Sequence, residues 1–248
     1  MRSALTLAMA CLAAVLFAGA PRAAPDPVAQ ADAILDQARA ASGGPAWDKL
    51  QGWSESGVIN RAGRTIAYHT WIDARRLTLL TERNVDGKVV TRGFDGRTVW
   101  VSGADGVVHA TQDASAVQSA RRNVYFDIYG FFLPKRFPAQ RVYVGPQVSN
   151  GQVYDVVRIT PQDAEPMDVW FDRRTHLVWA IVDTDKAHPL IALLADFAPT
   201  GGLMLPHTVA QSAGGPVAES IQHIAAYDFQ AAEPKSFASP ASEPDKAP

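Results

Sequence analysis

Histidines, serines, paired aspartates and a cysteine are the residues here that could do chemistry, and their spacing decides which chemistry is open to them. The six histidines are His69, His109, His176, His188, His207 and His223. A helical zinc site needs two of them four residues apart on one face, with a glutamate between, and no such pair occurs. Each falls on a segment that reads as strand or loop, where a solvated or hydrogen-bonded imidazole is the ordinary state. Gly52-Trp53-Ser54-Glu55-Ser56-Gly57 has the outline of a nucleophile elbow. An elbow joins a strand to a helix, however, and this stretch runs straight into a strand. Asp183-Thr184-Asp185 lacks the glycine an aspartic-protease loop needs, and no second copy exists to complete a carboxylate dyad. Gly103-Ala104-Asp105-Gly106 punctuates a hairpin, because no helix follows to offer its N–H groups to a phosphate. The residues point to a non-enzymatic protein with no cofactor and no metal. A hydrolase whose site is assembled from distant residues, with His207 or Ser54 in it, is the enzymatic alternative.

The elements that would position any site follow from periodicity. Asp26-Pro27 opens a helix, with Asp26 as N-cap and Pro27 at the first helical position. Val28, Ala31, Leu35 and Ala38 recur at helical spacing, and Gly43-Gly44 ends the run. A short turn through Trp47 and Leu50 follows. From Gly52 onward the period changes to two, with strands expected over 53–60, 64–73, 75–84, 88–94, 97–102 and 106–110. Asp86-Gly87, Asp95-Gly96 and Asp105-Gly106 lie nine and ten residues apart between them, the chemistry of sequential hairpins. A second helix is expected over 112–130, capped by Thr111 or Asp113. Its apolar stripe is Val117, Ala120, Val124, Ile128 and Phe131, with Arg121, Arg122 and Asp127 on the other side. Phe131-Phe132-Leu133 at its exit is either an edge of the core or an apolar contact surface. Strands resume over 140–145, 152–160, 166–172, 176–184, 189–197, 203–212 and 217–229. None of the later connections is long enough for a crossover helix, so parallel βαβ units are excluded.

Composition sets the context. Of 248 residues, 47% are hydrophobic and 19% charged, which supports a buried core. A net charge of −2 carries no basic stripe for a nucleic acid. Arg2 followed by the apolar stretch from Ala4 to Ala20 has the layout of a cleaved secretory signal, so residues 1–24 are read as a leader and cleavage region. Cys11, the one cysteine, lies inside it without a lipidation motif, leaving the mature chain with no disulfide and no thiolate metal site. Residues 25–230 form the folded domain. Residues 231–248, rich in Pro, Ala and Ser, read as a disordered tail.

The order of elements, together with Val169-Trp170-Phe171-Asp172, Thr175-His176-Leu177-Val178, Asp196-Phe197 and Leu205-Pro206-His207, resembles the LolA/LolB-like periplasmic lipoprotein-carrier superfamily. The resemblance implies an α+β fold, a curved antiparallel sheet forming a half-barrel whose concave face is covered by helices. It also implies a periplasmic, monomeric carrier that binds a lipid or an acylated protein in an apolar cavity. Trp71, Leu79, Trp100, Val124, Ile128, Phe131, Phe132 and Trp179 are the expected lining or gating residues. No arginine stands out as the lid lock such carriers use; Arg64, Arg75, Arg76, Arg92 and Arg97 are equivalent candidates. A sensing or interaction module on the same fold, partnered by an envelope membrane protein, is the second reading.

Overall fold

A computed structural model describes residues 26–183, 190–215, 217–230 and 236–240. The expected leader, His188 and most of the expected tail lie outside these residues. Helix α1 (Pro27–Ala41) begins at Pro27 because the Asp26 carboxylate accepts the Val28 N–H at 3.0 Å. It ends at Ser42, whose hydroxyl donates to the Ala38 carbonyl at 2.8 Å. A four-residue turn, α2 (Ala46–Lys49), then drives Trp47 inward to 1% exposure, where its indole N–H donates to Ser42 Oγ.

Six strands follow: β1 (Gly52–Arg61), β2 (Arg64–Asp73), β3 (Thr78–Val85), β4 (Lys88–Phe94), β5 (Val99–Ser102) and β6 (Val108–Thr111). The β3–β4 hairpin turns on Asp86-Gly87, with φ of +54° and +78°; this pair of left-handed residues matches the twist of the strands it joins. Strand β3 starts three residues later than expected. The Asp73 carboxylate takes the Arg75 backbone N–H and grips its guanidinium, and Leu77 adopts φ +54°, so this stretch is spent on a turn.

Helix α3 (Ala114–Asp127) is capped by Asp113, which accepts from Ser115 and Ala116. It is shorter than its apolar stripe suggests, because Tyr129 flips to φ +54° and the chain tightens into a 3-10 turn over Gly130–Phe132. Seven strands complete the fold: β7 (Ala139–Ser149), β8 (Gln152–Pro161), β9 (Met167–Asp172), β10 (Val178–Asp183), β11 (Leu190–Thr200), β12 (Leu203–Ser212) and β13 (Ser220–Asp228).

Among the described residues the thirteen strands make one antiparallel sheet, ordered β6-β5-β4-β3-β2-β1-β13-β12-β11-β10-β9-β8-β7. The first strand thus pairs with the last at the centre, and β6 and β7 are the two edges. These edges are joined by α3, so the segment with the apolar stripe must cross the open side of the curl. This is the expected half-barrel.

One end of the concave face is plugged. Phe131, Phe132 and Leu133 are 3%, 1% and 4% exposed, and Phe132 packs on Trp47 with ring centroids 5.1 Å apart. Leu35 and Ala38 of α1 and Val169 and Phe171 of β9 close the same cluster. Of the two readings of this exit segment, the core reading is right. The described residues 236–240 of the Pro/Ala/Ser-rich stretch also lie in place: the Trp100 indole N–H donates to the Phe237 carbonyl at 3.1 Å, and Ser239 is 2% exposed.

Candidate functional site

Beside the plug, under α3, the concave face encloses a cavity of about 610 Å³. That lies within the range of about 300–1,000 Å³ typical of small-molecule sites. Strand register explains its walls. One inward row runs Trp53–Ile72–Leu79–Phe94–Val99 across β1 to β5, apolar throughout. The next row, two residues along each strand, runs Tyr227–Glu55–Thr70–Thr81–Arg92–Val101. It is a polar belt, and at its middle the Thr70 and Thr81 hydroxyls are hydrogen-bonded at 3.0 Å. Both rows line the cavity, and α3 faces them with Ala116, Ala120, Val124 and Asp127.

The expected lining residues divide into three groups. Leu79 and Val124 are in the cavity wall. Ile128, Phe131 and Phe132 belong to the plug instead, because the turn after α3 rotates them into the core. Trp71, Trp100 and Trp179 face the other side of the sheet. Trp71 alternates with the cavity residues Thr70 and Ile72 and stacks on His69, with centroids 3.8 Å apart. Trp100 alternates with Val99 and Val101 and covers Gly93, where a Cβ would collide with the indole. Strict alternation along β10 would put Trp179 and Ile181 on one face. A β-bulge between Val178 and Ala180 breaks that alternation, so Ile181 points inward while Trp179 stacks on Tyr154 with centroids 4.2 Å apart.

Sequence reasoning missed the charged groups of the site. Glu55 points into the cavity, held by Gln222 Nε2 at 3.0 Å and more loosely by the Trp53 indole N–H at 3.4 Å. Gln222 also donates to the Tyr68 hydroxyl at 2.8 Å. Burial pushes the Glu55 carboxyl up to about 6, against the pull of these donors. Asp127, on the last turn of α3, is pushed up to about 7, chiefly by its desolvated surroundings and then by the Glu55 charge. Its side chain is exposed by surface area, but the space it meets is the cavity. Burial raises Tyr129 and Tyr227 too, and the Glu55 charge adds to both. On the far wall, desolvation and the neighbouring Arg92 and Arg61 lower Arg83.

Two arginines of α3 fasten the helix over the opening. Arg122 Nη2 donates to Asp183 Oδ2 of β10 at 2.9 Å, with the residues 6% and 1% exposed. Arg121 Nη2 donates to the Gly96 carbonyl in the β4–β5 turn at 3.2 Å. The helix is therefore tied to both halves of the sheet. None of the arginines put forward as a lid lock makes these contacts. Both arginines here sit on the side of α3 that reads as solvated from sequence. The described residues contain no cluster of three or more metal-ligating side chains.

No protein-family model matches the sequence, and no curated protein matches it. Solved structures do match in fold. A LolA superfamily protein from Nitrosomonas europaea aligns over 84% of this chain and 97% of its own, with TM-score 0.57 and 11% identity. An outer-membrane lipoprotein-sorting protein domain from Vibrio parahaemolyticus aligns over 84% and 95%, with TM-score 0.56 and 14% identity. A DUF1329 family protein from Desulfovibrio piger aligns over 83% and 94%, with TM-score 0.52 and 14% identity. In architecture the chain is a LolA-like half-barrel, an open antiparallel sheet curled around a cavity that a helix closes.

Proposed function

We propose that this protein is a monomeric, periplasmic binding or carrier protein that shelters the alkyl or acyl chain of a lipid or lipidated protein, without catalysing a reaction. The observation that carries this reading is the cavity of about 610 Å³ beneath α3, with a continuous apolar row along one side. Moving ten methylenes from water onto such a wall favours binding by about 8 kcal/mol before the losses of immobilisation. The Trp53–Val99 row spans five strands, roughly 19 Å at about 4.8 Å per strand, room for an extended chain of that size. Helix α3 serves as the lid, and its two arginine fastenings are the bonds that loading and release must break.

Native mass spectrometry of gently purified protein, before and after delipidation, tests this directly. The expected result is a bound alkyl species, and uptake of a fluorescent fatty acid or fatty amine by the stripped protein. Absence of both overturns the proposal.

A second reading, an interaction module, draws on edge strand β7. It exposes Val142, Val144 and Val148 at 45%, 47% and 69%, an apolar edge that an incoming strand could extend. Retention of an envelope membrane protein by the wild-type chain, lost on Val144→Lys, supports that reading. No such retention removes it.

A further inference from the structure

A sleeve made only for hydrocarbon has no use for two carboxylates, yet Glu55 and Asp127 both face this cavity. Glu55 is prearranged. Donors from β1 and β13 fix its carboxyl group at the cavity wall. Asp127 stands in the opposite situation, with no hydrogen bond or ion pair among the described residues. It also occupies the last residue of α3, where the helix dipole already disfavours negative charge. Tyr129 supplies an independent sign. It is 8% exposed and lines the cavity, and its hydroxyl has no partner among the described residues. It is held there by a left-handed backbone at φ +54°, a conformation that costs a non-glycine residue energy and often marks a site. Three more aromatic rings, Trp53, Tyr68 and Tyr227, line the same cavity as this acidic pair. Aromatic rings beside carboxylates make the setting that recognises ammonium groups.

Resting on the carrier reading above, we propose that the cavity binds a cationic amphiphile. Its ammonium group sits on Glu55 and Asp127 among Tyr68, Tyr129 and Tyr227, and its alkyl chain lies along the Trp53–Ile72–Leu79–Phe94–Val99 row. The other charged groups facing the cavity are Arg83 and Arg92 on β3 and β4 and Asp183 on β10. Arg92 lies three strands from Glu55 in the polar belt, roughly 14 Å away, and Asp183 is engaged by Arg122. Arg83 stands opposite Tyr68 with Arg92 and Arg61 as its charged neighbours, and no ion pair joins either cavity arginine to Glu55 or Asp127 among the described residues. A cation also favours the ionised carboxylates, so its binding drives off protons that the empty cavity retains near neutral pH.

Isothermal titration of the delipidated protein with decyltrimethylammonium, decanol and decanoate, each below its micelle concentration, tests the proposal. The ammonium probe is expected to bind at least about tenfold more tightly than the other two near pH 8, and to lose about tenfold near pH 5. The Glu55→Gln/Asp127→Asn variant is expected to keep its decanol affinity and lose the ammonium preference. Decanol or decanoate binding as well as the ammonium probe overturns the cation site and leaves the carrier reading standing. If none of the three binds, the carrier reading itself fails. The wild-type comparison decides the question even if the double variant does not fold.

Discussion

Severing the Arg122–Asp183 pair asks whether α3 is a latched lid or simply a buried helix. The two side chains are 6% and 1% exposed, and they join α3 to β10 across the cavity. Arg122→Met keeps most of the aliphatic packing but removes the guanidinium, leaving the Asp183 carboxylate without that partner in a low-dielectric wall. Breaking a buried pair in this way typically costs about 3–5 kcal/mol. If α3 opens as a unit, that loss falls on the closed lid alone. At about 1.4 kcal/mol per tenfold change, the open fraction then rises by about two to three and a half orders of magnitude. Hydrogen exchange read by mass spectrometry should show the α3 amides losing protection on that scale, while β1, β2 and β13 hold theirs. The companion Arg122→Met/Asp183→Leu, which removes both charges of this pair, should recover most of the loss in stability. A single variant that exchanges like the wild type, or one in which the central strands loosen in step with α3, refutes the latch.

Other outcomes follow from the same geometry. The folded-state value of Glu55, about 6, lies above its ordinary 4.5, so the neutral form is the one folding favours. Its contribution of about 2 kcal/mol is present in full below about pH 4.5 and is lost as pH rises through about 6. Urea midpoints of the ligand-free protein should therefore fall between pH 5 and 7, and Glu55→Gln should make that fall shallower, the rest coming from Asp127; an equal slope in both proteins counts against a desolvated Glu55. Gly93→Ala places a methyl group against the Trp100 indole and should destabilise by about 1–3 kcal/mol in urea melts, whereas the same change at Gly215, which has open space and no left-handed backbone, should leave the melt nearly unchanged. Trp100→Phe removes the N–H that reaches the Phe237 carbonyl and should speed proteolytic trimming behind residue 230, with unchanged cleavage marking that contact as unimportant.

The strands were legible because period-two alternation and Asp-Gly or Asn-Gly turns are local properties, and a hairpin meander needs little else. Which face turns inward is not local. Trp71 and Leu79 alternate equally well, and only the direction of sheet curl makes Leu79 a cavity residue and Trp71 an outer one. Trp179 was misplaced because a bulge, invisible in the pattern, shifts the alternation partway along β10. Glu55 alternates in step with Trp53 and Ile59, but nothing local gives a carboxylate a use on that face until β13 pairs beside it and brings Tyr227 and Gln222 to its flank. Asp127 did carry a signal: an acidic residue at a helix C-terminus works against the dipole and calls for a reason. Arg122 carried none, since a charged side chain on a helix ordinarily means water.

The pairing of β1 with β13 has a consequence for when this protein can work. Glu55 meets its neighbours Gln222 and Tyr227 only after nearly the whole chain has been made, since those residues belong to the final strand. Contacts so distant along the chain form late and slowly, because a long loop must close before they give anything back. The first six strands can assemble as hairpins while the wall around Glu55 is still incomplete. A chain still being made therefore carries an acidic side chain whose pocket wall is not yet built around it.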